Sequence, residues 1–275
     1  MTTHRSARGG VLVVAPTRRE LGGVARRGGR PAASGRARAG RGRLPAAGVR
    51  AAVVGTGRAA GPHTAAMLDA EPGALLVSLG FAGGLDPDLG LGDLVVASTY
   101  RRGRGEAVGD HDTAARTAAL LAGSGVAAVT GAVLTTDEPL LTPDSKHRAR
   151  AGGDHLVVDM EGYWIAGAAQ ARGVPHIGLH CVIDEAGFAL PAFVVEAVAD
   201  PRRQWTHALR ALGRRGGARD VAVLASRART ASGVLRHAGR VVLGAAVAAG
   251  ALGGSPDAAT APPTTPPSAP PSGGR

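Results

Sequence analysis

Residues 74–97 form the sequence ALLVSLGFAGGLDPDLGLGDLVVA, in which a glycine-rich segment separates two short apolar runs. Both runs, at residues 74–79 and 94–97, have the length and composition of buried strands. The five residues 80–84 between them include three glycines and one alanine. Such a segment leaves backbone amides uncovered, so a ligand can lie against them. The stretch therefore predicts a strand, a ligand-binding loop and a second strand.

Similar apolar runs continue in both directions and alternate with alanine-rich segments. Apolar runs of this length are typical of a parallel sheet that is covered on both faces. The sequence thus predicts an α/β fold, a three-layer αβα sandwich around a mixed, largely parallel sheet. Residues 22–48 show no sustained pattern and predict a loop. The other predicted strands are residues 11–15, 51–54, 127–134, 156–158 and 176–183, and the predicted helices are residues 62–70, 113–122 and 165–172.

The composition limits the classes of function open to this chain. Its 275 residues, 44% of them hydrophobic, suffice for a packed core without disulfide or metal support. Seven aromatic residues are too few to stack single-stranded nucleic acid. Cys181 is the single cysteine and the histidines lack metal-ligand spacing, so we expect no disulfide and no metal site. The single cysteine indicates a reducing setting. We expect that setting to be the cytoplasm, since no apolar run approaches the ~20 residues that span a bilayer.

Charge is distributed unevenly along the chain. The net charge is +11, yet residues 51–200 carry eighteen acidic and nine basic side chains. Arginine outnumbers lysine thirty-one to one, which we attribute to a GC-rich genome, so the basic charge does not by itself indicate a nucleic-acid partner. The changes in composition predict an α/β domain at residues 1–200, a basic helical extension at 201–252 and a disordered tail at 253–275.

Carboxylates follow two of the predicted strands. Asp159 and Glu161 come directly after strand 156–158, and Asp184 follows strand 176–183. Ligands of open α/β sheets bind outside the carboxyl ends of strands, so these acids can converge on one site. Taken singly, each acid is more typical of a surface or capping carboxylate.

A second glycine motif, Gly55-Thr56-Gly57-Arg58-Ala59-Ala60, follows a predicted strand and fits the dinucleotide-binding fingerprint. That fingerprint also needs an acidic residue at the end of the next strand, and the segment Leu79-Gly80-Phe81-Ala82-Gly83 supplies none. A nicotinamide-dependent oxidoreductase is therefore disfavoured. A turn whose backbone closely approaches another group is the better interpretation.

Together and in this order, these segments resemble the nucleoside phosphorylase and nucleosidase superfamily, and within it the methylthioadenosine/S-adenosylhomocysteine nucleosidases. The likeness covers residues 11–184. It rests on Gly-Gly-Leu before Gly-Asp-Leu-Val-Val, on Val-Asp-Met-Glu and on a late strand that ends in Asp. The resemblance implies a small-molecule nucleoside substrate, a homo-oligomer and no metal or organic cofactor, with inorganic phosphate as a co-substrate if the reaction is phosphorolysis.

Breaking the N-glycosidic bond of a purine nucleoside builds positive charge on the ribose and negative charge on the departing base, and carboxyl groups can assist at both ends. The resemblance implies that Asp184 protonates the purine. It implies that Glu161 binds the ribose hydroxyls, with Met160 packed beneath the sugar, and that Glu20 lies beside the attacking water. A countercharge to the two arginines before it is an equally good interpretation of Glu20.

The chain departs from the family pattern at three positions. Phe81 replaces the Ser or Thr of relatives, Ser78 replaces an Arg of uridine phosphorylases, and Pro139 replaces the aromatic residue that stacks on adenine. These changes favour hydrolysis, although backbone amides and Arg18 or Arg58 could still bind phosphate. They also leave open a catalytically weakened nucleoside-binding or regulatory protein. The implied substrate-binding set further includes Gly55, Gly57, Gly80, Ala82, Gly83, Leu140 and Asp159.

A narrower resemblance concerns the hopanoid-associated phosphorylase-like proteins. They share an apolar residue at the position of Phe81, the Val-Asp-Met-Glu element, an Ala-Leu-Pro like residues 189–191, and arginine-rich C-terminal helices. This likeness implies a lipid-linked nucleoside and peripheral contact with an anionic membrane surface. A solvated arginine face explains the basic helices equally well.

Overall fold

Within the part of the chain that the computed structural model describes, there are seven strands, six α-helices with defined bounds and a short 3-10 helix at Gly57–Ala59. That part comprises residues 10–22, 24, 48–103, 105, 107–191, 193–195 and 217–249. The strands are β1 (Val11–Ala15), β2 (Val49–Val53), β3 (Leu75–Gly84), β4 (Leu94–Arg101), β5 (Val129–Thr135), β6 (His155–Asp159) and β7 (His176–Asp184). The helices are α1 (Arg18–Leu21), α2 (Ala60–Ala70), α3 (His111–Gly123), α4 (Pro143–Ala151), α5 (Gly162–Gln170) and α6 (Gly217–Ala248).

All seven strands belong to one sheet in the order β2-β1-β3-β6-β5-β4-β7, and β7 also pairs with β3. Strands β3, β6, β5, β4 and β7 therefore close into a ring. Five strand pairs are parallel, while β3–β6 and β4–β7 are antiparallel. The predicted mixed, largely parallel sheet is confirmed, and the ring closure is a feature that the sequence analysis did not include.

The glycine-rich segment 80–84 is the end of strand β3 and not the loop that the sequence predicts. A bulge between Ala82 and Gly83 bends the strand, and Gly83 then pairs with Val158 of β6. A Cβ atom on Gly83 would lie 3.1 Å from Val158 Cγ1, so glycine permits the close approach of the two strands. This bend brings the carboxyl end of β3 against the end of β6.

Helices cover both faces of the sheet, which gives the three predicted layers. Helices α3 and α6 pack on one side of β3 and β7, while α2 and α5 pack on the other side. Helix α6 buries Ala231, Leu235, Ala238 and Val242, spaced three or four residues apart as expected for one apolar stripe. The described part of the predicted basic extension is thus a helix that shares the main core. Leu235 is fully buried, which by itself stabilises the fold by about 1.5–3 kcal/mol.

Two helices escaped the sequence analysis because they are short and polar. Helix α1 begins at a capping box in which the Thr17 side chain caps the backbone of Glu20 and Glu20 caps the backbone of Thr17. Helix α4 begins at a similar box between Thr142 and Ser145.

Three of the predicted segments lie wholly or mostly outside the described residues. They are the loop 22–48, residues 201–216 of the extension and the tail 253–275. None of the described helices is long and apolar enough to cross a membrane.

Candidate active site

Four carboxyl groups from separate parts of the chain line one cavity of about 310 Å³. Glu20 comes from α1, Asp159 from the end of β6, Glu161 from the start of α5 and Asp184 from the end of β7. Each is at most 9% exposed. The predicted convergence of acids at strand ends therefore takes place at a cavity that is large enough for a small ligand.

Glu20 is held in place by the turn that begins α1 and by β3. Its Oε2 accepts hydrogen bonds from Thr17 N at 2.9 Å and from Thr17 Oγ1 at 2.6 Å. Its Oε1 accepts a hydrogen bond from Phe81 N at 2.9 Å. Burial raises the pKa of Glu20 to about 7, against the opposing effect of these hydrogen bonds. A rigid carboxyl group with this pKa can exchange a proton near neutral pH.

Glu161 and Asp159 lie side by side where β6 leads into α5. Glu161 Oε1 accepts a hydrogen bond from Gly57 N at 2.7 Å. Asp159 accepts hydrogen bonds from Thr135 Oγ1 at 2.6 Å and from Gly162 N at 2.8 Å, so both of its oxygens are engaged within the protein. Burial, followed by the negative charges of Asp159 and Glu20, raises the pKa of Glu161 to about 8. Burial is also the main cause that raises the pKa of Asp159 to about 7.

Asp184 is paired with a buried lysine that sequence reasoning missed. Lys146, on α4, is fully buried and donates a hydrogen bond to Asp184 Oδ2. Its Nζ also donates to the backbone carbonyls of Glu185 at 2.7 Å and Phe188 at 3.0 Å. Burial raises the pKa of Asp184 to about 6, and the charge of Lys146 limits that rise. Within the described part of the chain, the hydrogen bond from Lys146 to Oδ2 is the one hydrogen bond of the Asp184 carboxyl group. Its other oxygen, Oδ1, can therefore contact a ligand.

The remaining predicted residues divide into two groups. Phe81, Ala82, Gly83, Pro139, Leu140 and Met160 line the cavity. Gly55, Gly57 and Gly80 do not line it. Gly57 has a positive φ of 63° and donates its N–H to Glu161, so this motif is a turn that positions a carboxyl group. Gly55 lies beside His63, whereas Gly80 lies beside His180 and Glu20.

Helix α6 closes one side of the cavity, which the sequence analysis did not predict. Leu224 and Ala228 of this helix line the cavity together with Leu190. Arg227 fixes the helix against the end of β7, because its Nη1 donates to Glu185 Oε2 at 2.6 Å and to Ile183 O at 3.2 Å. The cavity thus has apolar side chains in its lining as well as carboxyl groups.

A buried polar pair lies behind the carboxyl groups. The hydroxyl of Tyr100 is 2.9 Å from His180 Nε2, and His180 Nδ1 is 3.7 Å from Asp159 Oδ2. Burial lowers the pKa of His180 to about 3, so this ring is neutral near neutral pH. His176 lines a second cavity, of about 320 Å³, and not the one that holds the acids. No group of three or more potential metal ligands occurs among the described residues.

Solved structures of nucleosidases share this fold. The 5′-methylthioadenosine/S-adenosylhomocysteine nucleosidase of Neisseria meningitidis in complex with methylthio-immucillin-A gives a TM-score of 0.64 at 16% identity, over 86% of this chain and 99% of that one. The corresponding nucleosidase of Colwellia psychrerythraea 34H in complex with adenine gives 0.62 at 20% identity, over 86% and 95%. Futalosine hydrolase of Helicobacter pylori strain 26695 gives 0.57 at 15% identity, over 84% and 97%.

The sequence itself establishes the family. Residues 11–215, about three quarters of the chain, match the family model of the phosphorylase superfamily. The chain belongs to this superfamily, which confirms the resemblance to nucleoside phosphorylases and nucleosidases. A search of curated proteins gave no match.

Proposed function

We propose that this protein hydrolyses the N-glycosidic bond of a purine nucleoside. The observation that carries the proposal is the convergence of Glu20, Asp159, Glu161 and Asp184 on one cavity. Structures with the same fold include nucleosidases in complex with adenine and with methylthio-immucillin-A, which supports a nucleoside as the ligand.

The four carboxyl groups suit the charges that develop in this reaction. Asp184 donates its proton to the purine as the C1′–N bond breaks, and Glu20 takes a proton from the water that forms the new C1′–O bond. Glu161 binds the ribose hydroxyls. Positive charge on the sugar favours the ionised forms of Glu161 and Asp159, whose pKa values are raised in the free protein. The protons that Glu161 and Asp159 release to solvent return when the sugar leaves, and the cycle closes when Glu20 loses a proton and Asp184 regains one.

Hydrolysis fits the charges of the cavity better than phosphorolysis, because four carboxyl groups line it and Arg19 is the one arginine among its described lining residues. Arg58, one of the two candidate phosphate ligands from the sequence, is held by Asp137 through contacts of 3.2 and 3.1 Å and does not line the cavity. Lys146 is occupied by Asp184. A phosphate dianion beside four carboxyl groups would raise their pKa values further, whereas water adds no charge.

The apolar lining of the cavity indicates which substituent the substrate carries on its 5′ carbon. Phe81, Leu140, Leu190 and Leu224 contribute apolar surface, and a cavity of about 310 Å³ suits a nucleoside with a small apolar substituent. We therefore infer methylthioadenosine as the best substrate among simple nucleosides. A lipid-linked nucleoside would have to extend its chain beyond this cavity.

The test is release of free base from methylthioadenosine, adenosine and inosine, with and without phosphate. We expect phosphate-independent release, with free sugar and not sugar 1-phosphate as the second product. Asp184→Asn should lower kcat by about 10²–10⁴-fold. Asp144→Asn, at an exposed carboxylate, serves as the matched control and should leave kcat unchanged. Absence of release from every nucleoside, together with adenine binding by calorimetry, would favour the nucleoside-binding alternative.

A further inference from the structure

Lys146 is an exception in this chain. Arginine outnumbers lysine thirty-one to one, and this residue is the single lysine. It lies on the polar helix α4, where His147 and Arg148 are exposed, yet Lys146 is fully buried. Burying an ammonium group costs several kcal/mol unless it is paired and hydrogen-bonded. The composition and the burial both indicate that this position requires a lysine.

The contacts of Lys146 explain why arginine does not take its place. The ammonium group has three donors, and it meets three acceptors, which are Asp184 Oδ2 and the carbonyls of Glu185 and Phe188. An arginine would bring a larger, planar group with five donors in a fixed geometry. One compact cation therefore ties the carboxyl group of Asp184 to the loop that follows β7.

We propose that Lys146 is a positioning residue that orients Asp184 and sets the strength of this acid. The inference rests on the proposed function, in which Asp184 protonates the departing purine. When the Asp184 O–H bond breaks and an N–H bond forms on the base, the carboxylate left behind is stabilised by the adjacent ammonium. Burial alone would raise the pKa of Asp184 further and make it a weaker acid.

Other charged groups near Asp184 have smaller effects. Arg227 of α6 lowers the pKa of Asp184 and Glu185 raises it, but these two side chains bind each other at 2.6 Å. Glu20 and Glu161 line the other parts of the same cavity. Among the described residues, Lys146 is the one cation in direct contact with the Asp184 carboxyl group. It is therefore the group to remove in a test.

The single lysine allows a test that needs no turnover. Protein labelled with ¹³C at lysine Cε should give one side-chain lysine signal, which reports the surroundings of Lys146. We expect this signal to shift with pH with a midpoint near 6, the pKa of Asp184. Glu20→Gln and Glu161→Gln retain Asp184 and should keep this midpoint, whereas Asp184→Asn should abolish it. A signal that does not titrate between pH 5 and 8, or that titrates equally in Asp184→Asn, would overturn the proposal.

The second test measures the activity of a Lys146 variant. Lys146→Met should lower kcat more than about tenfold with a smaller change in KM, and should move the alkaline limb of the pH profile to higher pH. Arg148→Met, at an exposed position on the same helix, should change neither quantity. A lower kcat with an unshifted limb would reduce Lys146 to a structural role. If no nucleoside is cleaved, the labelled wild-type chain still decides the pairing with Asp184 and separates this inference from the proposed reaction.

Discussion

Replacing Glu161 by Gln should make the folded protein more stable at pH 8 and have little effect at pH 5. Burial near Asp159 and Glu20 raises the pKa of Glu161 to about 8 from its ordinary value of 4.5. The folded protein therefore keeps a proton that the unfolded chain has already lost. The stability contributed by protonated Glu161 is complete below pH 4.5 and is lost as the pH rises through 8.

The size of this effect follows from the pKa shift. Each pKa unit corresponds to about 1.4 kcal/mol, so wild-type protein should lose at most about 4 kcal/mol between pH 5 and pH 8 through this one group. The three neighbouring carboxyl groups titrate together, which makes this figure an upper bound. Glutamine keeps an oxygen that can accept from Gly57 N but carries no charge. Glu161→Gln should therefore gain about 2–4 kcal/mol on wild type as the pH rises from 5 to 8.

Urea unfolding at fixed ionic strength between pH 5 and pH 8 measures this difference. Glu138→Gln is the matched control, because it removes an exposed carboxylate that lies outside the cavity lining. Its free energy of unfolding should follow that of wild type at every pH. Equal stability differences between Glu161→Gln and wild type at pH 5 and pH 8 would show that Glu161 is not held in its neutral form, and the reasoning would fail.

Three further predictions concern pH, packing and specificity. Because Glu20 must be ionised and Asp184 protonated, kcat/KM for base release should be greatest between about pH 6 and 7 and fall on both sides; a steady rise to pH 9 would contradict these roles. Gly178→Ala should lower the free energy of unfolding in urea by several kcal/mol, because the new methyl group would overlap the Tyr100 hydroxyl. Gly233→Ala, in open space on α6, should raise the free energy of unfolding by up to about 1 kcal/mol. Leu224→Asn should raise KM for methylthioadenosine about tenfold and leave KM for adenosine nearly unchanged. Equal changes for both substrates would show that the apolar lining does not determine specificity.

The positions of the acids could be predicted because they depend on local pattern. Asp159, Glu161 and Asp184 each follow a run of apolar strand residues, and strand ends gather at the edge of a sheet. Met160 and Pro139, which the family resemblance implied as substrate-binding residues, also line the cavity. The sequence therefore contained the acidic half of the site and part of its apolar wall.

The partner of Asp184 could not be predicted in this way. Lys146 sits in PDSKHRARA, a segment whose composition is typical of a solvated helix. Its burial comes from the loop after β7, which is distant in sequence, so no local period marks it. Closure of the sheet ring by β3 and β7 was missed for the same reason, because the pairing of residues such as Leu76 and His176 is decided by packing across the whole domain.

In the proposed reaction, the placement of that one cation decides which carboxyl group acts as the acid. All four groups are buried, and burial alone would favour the neutral form of each. Hydrogen bonds from Thr17 and Phe81 bring the pKa of Glu20 back to about 7, and the ammonium of Lys146 brings that of Asp184 to about 6, while Glu161 keeps a value of about 8. Asp184 is therefore the group whose carboxylate form is least costly after its proton has passed to the base. Glu161, whose pKa is raised by burial and by the charges of Asp159 and Glu20, gains most when positive charge appears on the sugar. Burial and crowding thus disfavour the ionised carboxylates in the free protein, and a cationic transition state in the cavity is stabilised because it offsets this cost.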